Sequence, residues 1–263
     1  MKILLTNDDG IHAEGIKVLA LELVKAGFDI TIIAPMEDSS GASAGVGQVY
    51  LRSDSIKFEK VRIDGLESIE SYAIDALPAL TVLAGFLGFL NFKPNLVISG
   101  INNGLNVGRS SLHSGTVGAA LTSQHFSVPS IAVSVEWDER PHFETAAIIA
   151  CELISLFNFM PSKITLNLNV PSKPIEQLAG IKLTSLSNYG LIKKVIKNQK
   201  TSTLNLDLSQ HDHKLDELSD IIAVRSNFAS ITPISSVKSL KDATLESHIT
   251  DILGEVWHNS NKK

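Results

Sequence analysis

The chain has 263 residues, with 23 Lys+Arg against 28 Asp+Glu, a formal net charge of −5. Hydrophobic residues make up 44% and charged residues 19%. That much apolar side chain excludes a largely disordered chain, which cannot bury enough surface to offset ordering entropy. The negative balance lacks the basic footprint of a general nucleic-acid binder.

In chain order, Lys2–Thr6 (KILLT) reads as a buried strand. It is far short of a signal-peptide apolar region, because Asn7, Asp8 and Asp9 follow at once. Ile16, Leu19, Ala20 and Leu23 recur at helical spacing, and Gly27 is placed to end that helix. Asp29–Ala34 (DITIIA) is a second strand, stopped by Pro35. Ala76–Leu90 is the most apolar segment. It is broken by Pro78, Gly85 and Gly88 and too short to span a bilayer, so a buried core helix is expected.

Strands are expected at Asn95–Ser99, Ser130–Ser134 and Ile164–Val170, with helices at Thr116–His125 and Glu144–Phe157 between them. Repeated strand–helix–strand text predicts an α/β fold, a Rossmann-like, mostly parallel sheet with helices on both faces. From Asn188 to about Leu218 the chain turns polar, with alternation at Thr203–Leu208 that suggests hairpins or a protruding arm. Asp220–Pro233 (DIIAV, then SITP) returns to strand-like text, and the tail from Leu240 is expected as one more helix. The single cysteine, Cys151, excludes an intrachain disulfide and a cysteine-rich zinc site, and it reads as a small core residue. The expected location is cytoplasmic, with no membrane contact.

In open parallel sheets, ligands bind beyond the carboxyl ends of the strands. Three such loops are polar and carry glycine: Thr6-Asn7-Asp8-Asp9-Gly10, Asp38-Ser39-Ser40-Gly41-Ala42-Ser43 and Ser99-Gly100-Ile101-Asn102-Asn103-Gly104-Leu105-Asn106. Adjacent carboxylates repel unless they share a cation or a proton. With the nearby hydroxyls and side-chain amides they form an all-oxygen donor set, suited to Mg²⁺ or Mn²⁺ rather than Zn²⁺. A plainer alternative makes Asn-Asp-Asp-Gly a turn and a helix cap. Further on, Ser114-Gly115-Thr116 opens a helix, where backbone N–H groups and hydroxyls favour an anion. Simple capping is again the plainer alternative. No Gly-x-Gly-x-x-Gly follows the first strand, which argues against a dinucleotide dehydrogenase.

Asn7-Asp8-Asp9-Gly10, Ser40-Gly41-Ala42-Ser43, Ser99-Gly100-Ile101-Asn102 and Ser114-Gly115-Thr116-Val117 resemble, in order and approximate spacing, the SurE (survival protein E) family of nucleotidases. Leu166–Pro171 and Ser230–Pro233 extend the resemblance to about residues 1–235.

The resemblance implies a metal-dependent phosphatase of nucleoside 5′- and 3′-monophosphates. One Mg²⁺ or Mn²⁺ per subunit would be held by Asp8, Asp9, Ser40 and Asn102. Asp8 and Asp9 would be catalytic, and Asn106, Ser114, Gly115 and Thr116 would face the phosphate. It also implies one domain over 1–263, with a core over about 1–187 and a segment over about 188–263 that joins subunits as dimers or tetramers. Arg109 and Ser110 stand where the family usually has acids, and His113 stands where it often has tyrosine. Ala76–Leu80 (ALPAL) stands in place of the family's common Thr-Pro-x-Asp-Cys segment, and this departure and those around Arg109 motivate the alternative of a nucleotide-binding regulatory module with little turnover. His113 is a candidate general acid, and Arg109 a candidate contact to the nucleotide.

Overall fold

The computed structural model describes residues 1–47, 55–158, 163–199, 201–208 and 216–237. Nine strands form one sheet in the order β3-β4-β2-β1-β5-β6-β7-β11-β8. They are β1 (Lys2–Thr6), β2 (Asp29–Pro35), β3 (Phe58–Lys60), β4 (Ser71–Ile74), β5 (Leu96–Asn103), β6 (Ser130–Val135), β7 (Thr165–Val170), β8 (Gly180–Leu183) and β11 (Phe228–Ile234). Strands β4, β2, β1, β5, β6 and β7 run parallel. β3 and β11 pair antiparallel to their neighbours β4 and β7, and β8 runs parallel to β11. A separate antiparallel hairpin is made by β9 (Lys194–Asn198) and β10 (Thr203–Asp207).

Strand alternation divides the core into two layers. Ile3 and Leu5 of β1, Ile30 and Ile32 of β2, and Leu96 and Ile98 of β5 pack under helices α1 (Glu14–Lys25) and α4 (Phe143–Ile154). Leu4, Ile33 and Val97 point the other way, toward α2 (Pro78–Ala84) and α3 (Gly115–Thr122). Apolar residues on both faces are what an uninterrupted apolar run requires of a doubly covered strand. In α1 the four residues read at helical spacing are all fully buried. Gly27, at φ +84°, closes that helix in the left-handed region.

Two expectations are corrected. Ala76–Leu90 is not one core helix. After α2 the chain makes a π-helical turn, Gly85–Phe89, leaves helical geometry at Leu87 and Gly88, and exposes Leu87. Asp220–Val224 is not a strand but the start of helix α5 (Asp220–Arg225). Four apolar residues after an aspartate do not distinguish the two periods. Here Ile221 and Val224, three apart, form the buried face, and the Asp220 carboxylate accepts the Ile221 N–H at 2.8 Å. Strands β3, β4 and β8 were not foreseen; β3 and β8 are short, largely exposed edges. The helix expected from Leu240 lies outside the described residues. Cys151 is half-buried against the larger core cluster, and burial, with Glu22 and Glu152 nearby, pushes its thiol up to about 11. Among the described residues no helix is long and apolar enough to cross a membrane.

Candidate active site

The Asn7–Gly10 segment turns directly off β1. Asn7 is buried, and its side-chain amide donates to the Gly10 carbonyl at 2.8 Å. The turn predicted for Asn-Asp-Asp-Gly is therefore present. The cap is not: the residue before α1 is Ala13, which offers no side-chain acceptor.

The second loop is stitched to the first and to α3. Ser39 N–H donates to the Asp8 carbonyl at 2.7 Å. Ser43 donates its N–H to His113 O at 3.2 Å and its hydroxyl to Leu112 O at 2.7 Å. A Cβ on Gly118 would meet Ser43 O at 2.2 Å, so the loop lies directly on the helix.

The third loop is reached through a distorted end of β5. The strand continues to Asn103, beyond the expected end at Ser99, with a shift in its pairing to β6 between Ser99 and Asn102. Gly100 has φ +139°, and a Cβ there would lie 2.3 Å from Val133 O, so only glycine allows this passage. The shift brings Asn102 to the cavity wall. Its Nδ2 donates to Gly104 O at 2.7 Å, which leaves Oδ1 available.

These loops border a cavity of about 1230 Å³ whose wall includes Asp8, Ser40, Asn102, Asn106, Ser114 and His113. Asp8 is almost fully buried. Its Oδ1 accepts the Thr116 hydroxyl at 2.5 Å, and Gly115 faces its carboxylate so closely that a Cβ would come within 2.8 Å of Oδ2. Asp8 thus packs on the N-terminal turn of α3, where the helix dipole favours negative charge. Gly115 and Thr116 therefore stand behind Asp8 rather than on the cavity wall, unlike the expectation that placed both against a phosphate. Ser114 lines the cavity while its hydroxyl accepts Val117 N–H at 3.1 Å, so the predicted cap is real.

Asp9 is half-buried and is not part of the cavity wall. Burial, reinforced by the Asp8 and Asp38 carboxylates, pushes its carboxyl up to about 7. Burial also raises Asp8, against the bonds from Thr116 that lower it. Among the described residues no lysine, arginine or histidine forms an ion pair with Asp8, Asp9 or Asp38. The adjacent, uncompensated carboxylates of Asp8 and Asp9, beside a free amide oxygen and a hydroxyl, fit a hard cation. Among the described residues no group of three His, Cys, Asp or Glu has ligating geometry, so neutral oxygens have to complete such a set.

The far wall of the cavity is more apolar and includes Leu105, Trp137, Tyr189, Leu191, Ile192 and Ile221. Arg109 lies there too, with its guanidinium 3.3 Å from Asn188 Oδ1. His12 is exposed and lies off the wall. A smaller cavity of about 270 Å³, bordered by Met36, Val46, Leu77 and Leu80, contains none of the predicted site residues.

Two supports were missed by sequence reasoning. Asn106 is clamped: its N–H donates to Asn169 Oδ1 at 2.8 Å, its Nδ2 to Ser134 Oγ at 2.9 Å, and its carbonyl accepts Asn167 Nδ2 at 2.8 Å. Fully buried Asp220 accepts N–H groups from Gly108 (2.7 Å), Ser187 (3.1 Å) and Ile221, which ties two cavity loops together. The Asn167-x-Asn169 pair inside an apolar strand was a visible signal, because buried amides need partners.

A profile of the survival protein SurE family matches residues 3–192. A protein named 5′-nucleotidase SurE from Mannheimia succiniciproducens is 38% identical over 242 residues, covering 89% of this chain and 92% of its own. One of the same name from Haemophilus influenzae (strain ATCC 51907) is also 38% identical, over 90% and 92% of the two chains. The crystal structure of the SurE protein from Aquifex aeolicus superposes with a TM-score of 0.78 at 28% identity, over 96% of this chain and 99% of that one. Shared sequence across nearly the whole length, on the same sheet, leads to one conclusion: the chain belongs to the SurE family.

Proposed function

We propose that the protein is a 5′-nucleotidase that hydrolyses nucleoside 5′- and 3′-monophosphates to nucleoside and phosphate, with one Mg²⁺ or Mn²⁺ per subunit. The names of its relatives support the activity. The observation that carries the site is that Asp8, fixed by Gly115 and Thr116, faces the same cavity as Ser40 and Asn102. Asp8, Asp9, Ser40 and Asn102 would hold the ion. When bound, it supplies positive charge to the phosphoester and acidifies water.

The chain's own residues do the rest. Asp8 is held in one orientation, and Asp9 orients the attacking water or takes its proton. Asn106 and Ser114 border the space for the phosphate. His113, exposed on the wall, would protonate the leaving oxygen. Trp137, Leu105 and Ile192 offer an apolar face to the nucleoside. The cavity exceeds what a phosphate alone needs and is large for a small-molecule site.

The segment 188–263 would join subunits as a dimer or tetramer. Its described hairpin exposes Val195, Ile196, Leu204 and Leu206. The test is phosphate release from a panel of nucleoside monophosphates with Mn²⁺ and with a chelator. Metal-dependent release is expected. Nucleotide binding without metal-dependent release would instead identify a regulatory module.

A further inference from the structure

We propose that Asp38 is a positioning residue that acts through Ser40, turning the serine oxygen's lone pairs toward the metal site. The inference rests on the metal-site reading above, in which Ser40 is a neutral ligand. A hydroxyl carries one hydrogen and two lone pairs, and its rotor is free unless something takes the hydrogen. Here Asp38 Oδ1 accepts the Ser40 hydroxyl at 2.7 Å and the Ser40 backbone N–H at 2.8 Å. One carboxylate oxygen thus fixes both the backbone and the rotor of the same residue. With its hydrogen committed, Ser40 Oγ has lone pairs to offer the cavity that it lines.

An anionic acceptor also polarises the O–H bond and makes that oxygen a better donor to a cation. Asp38 itself is not on the cavity wall. It reaches the ion through the serine's bonds and, more diffusely, through its charge, which Asp8 and Asp9 also feel. Both residues are exposed, so water competes for these bonds and the effect belongs at the low end of what supports behind a metal ligand contribute.

The experiment is calorimetric Mn²⁺ titration of the full chain, checked by the paramagnetic resonance signal of free Mn²⁺. The variants are Asp38→Ala, Asp38→Asn, Ser40→Ala and the Asp38→Ala/Ser40→Ala double variant. Asp38→Ala is expected to weaken Mn²⁺ binding about 10-fold. Asp38→Asn, whose amide oxygen can accept both hydrogens, is expected to restore most of the affinity. In the Ser40→Ala background, removing Asp38 is expected to cost clearly less than it does with Ser40 present, as coupled residues in one network do, the remainder being the loss of its charge. The proposal is overturned if Asp38→Ala binds like the wild type, if Asp38→Asn is as weak as alanine, or if the loss is as large without Ser40 as with it. Asp8→Asn, measured alongside, judges the metal site itself: unaltered Mn²⁺ binding there refutes the underlying reading, whatever Asp38 does.

Discussion

Gly115 leaves no room for a methyl group between helix α3 and Asp8: a Cβ there would sit 2.7 Å from Asp8 Cβ and 2.8 Å from Oδ2. Alanine is the better helix former, so Gly115→Ala should keep the helix while displacing the carboxylate. A carboxylate moved by about an ångström costs on the order of 100-fold in kcat/KM. Unchanged circular dichroism with that loss is the expected pair of results; wild-type turnover would remove Asp8 from the site.

Thr116 is the other constraint on Asp8. Thr116→Val keeps the shape but deletes the hydroxyl bonded to Oδ1. Hydrogen bonds to charged groups are worth about 1.5–3 kcal/mol, so kcat/KM should drop roughly 10- to 100-fold. Thr116→Ser should recover most of it in the same assay.

Asp9 predicts a pH dependence with a definite sign. Its carboxyl is raised from 3.8 to about 7, so the folded, metal-free chain keeps a proton that the unfolded chain has already lost. Stability is therefore lost as pH rises between those two values. Asp9→Asn should melt at least about 2 °C above the metal-free wild type at pH 8, the shift that ~1 kcal/mol gives a chain of this size. The difference should shrink as the pH falls and vanish below about pH 3, where the group is protonated in both states. A lower melting temperature for the variant at pH 8 contradicts the assignment. Mn²⁺ affinity of the wild type should climb until about pH 7, because ligand carboxylates must release protons.

Asp220→Asn replaces a fully buried carboxylate that accepts three backbone N–H groups. Denaturant unfolding should show a loss of about 1–3 kcal/mol. The nucleotide KM should rise more than kcat falls, because the loops it ties form the cavity wall.

Trp137 is 67% exposed on that wall. If it stacks on the base, Trp137→Ala loses about 1–3 kcal/mol of binding. The KM for nucleoside monophosphates should rise while that for glycerol phosphate, which has no ring, stays level.

Much of this was legible in the sequence because its signals were local. Lys2–Thr6, Asp29–Ala34 and Ser130–Ser134 are short apolar runs, and they appear as strands within a residue of the expected ends. Asp8, Ser40 and Asn102, which line one cavity, could be singled out because they stand at or beyond the carboxyl ends of strands, where parallel sheets place their sites. What stayed hidden depends on distant partners. The helical state of Asp220–Arg225 and the role of Asp220 rest on Gly108 and Ser187, which lie far away in the chain. The burial of Thr116 against Asp8 spans 108 positions, and no spacing rule reports it.

The sheet order has a thermal consequence. Asp8 and Asn102 hang from β1 and β5, the fourth and fifth of nine strands, whereas Asn188 and Tyr189 follow β8, the outermost one. Amide exchange starts at margins and reaches interior strands last. On warming, the wall around Asn188 and Tyr189 loosens before the anchorage of Asp8 and Asn102 does; if that wall holds the base, discrimination among nucleosides fades at a lower temperature than cleavage of the simplest esters.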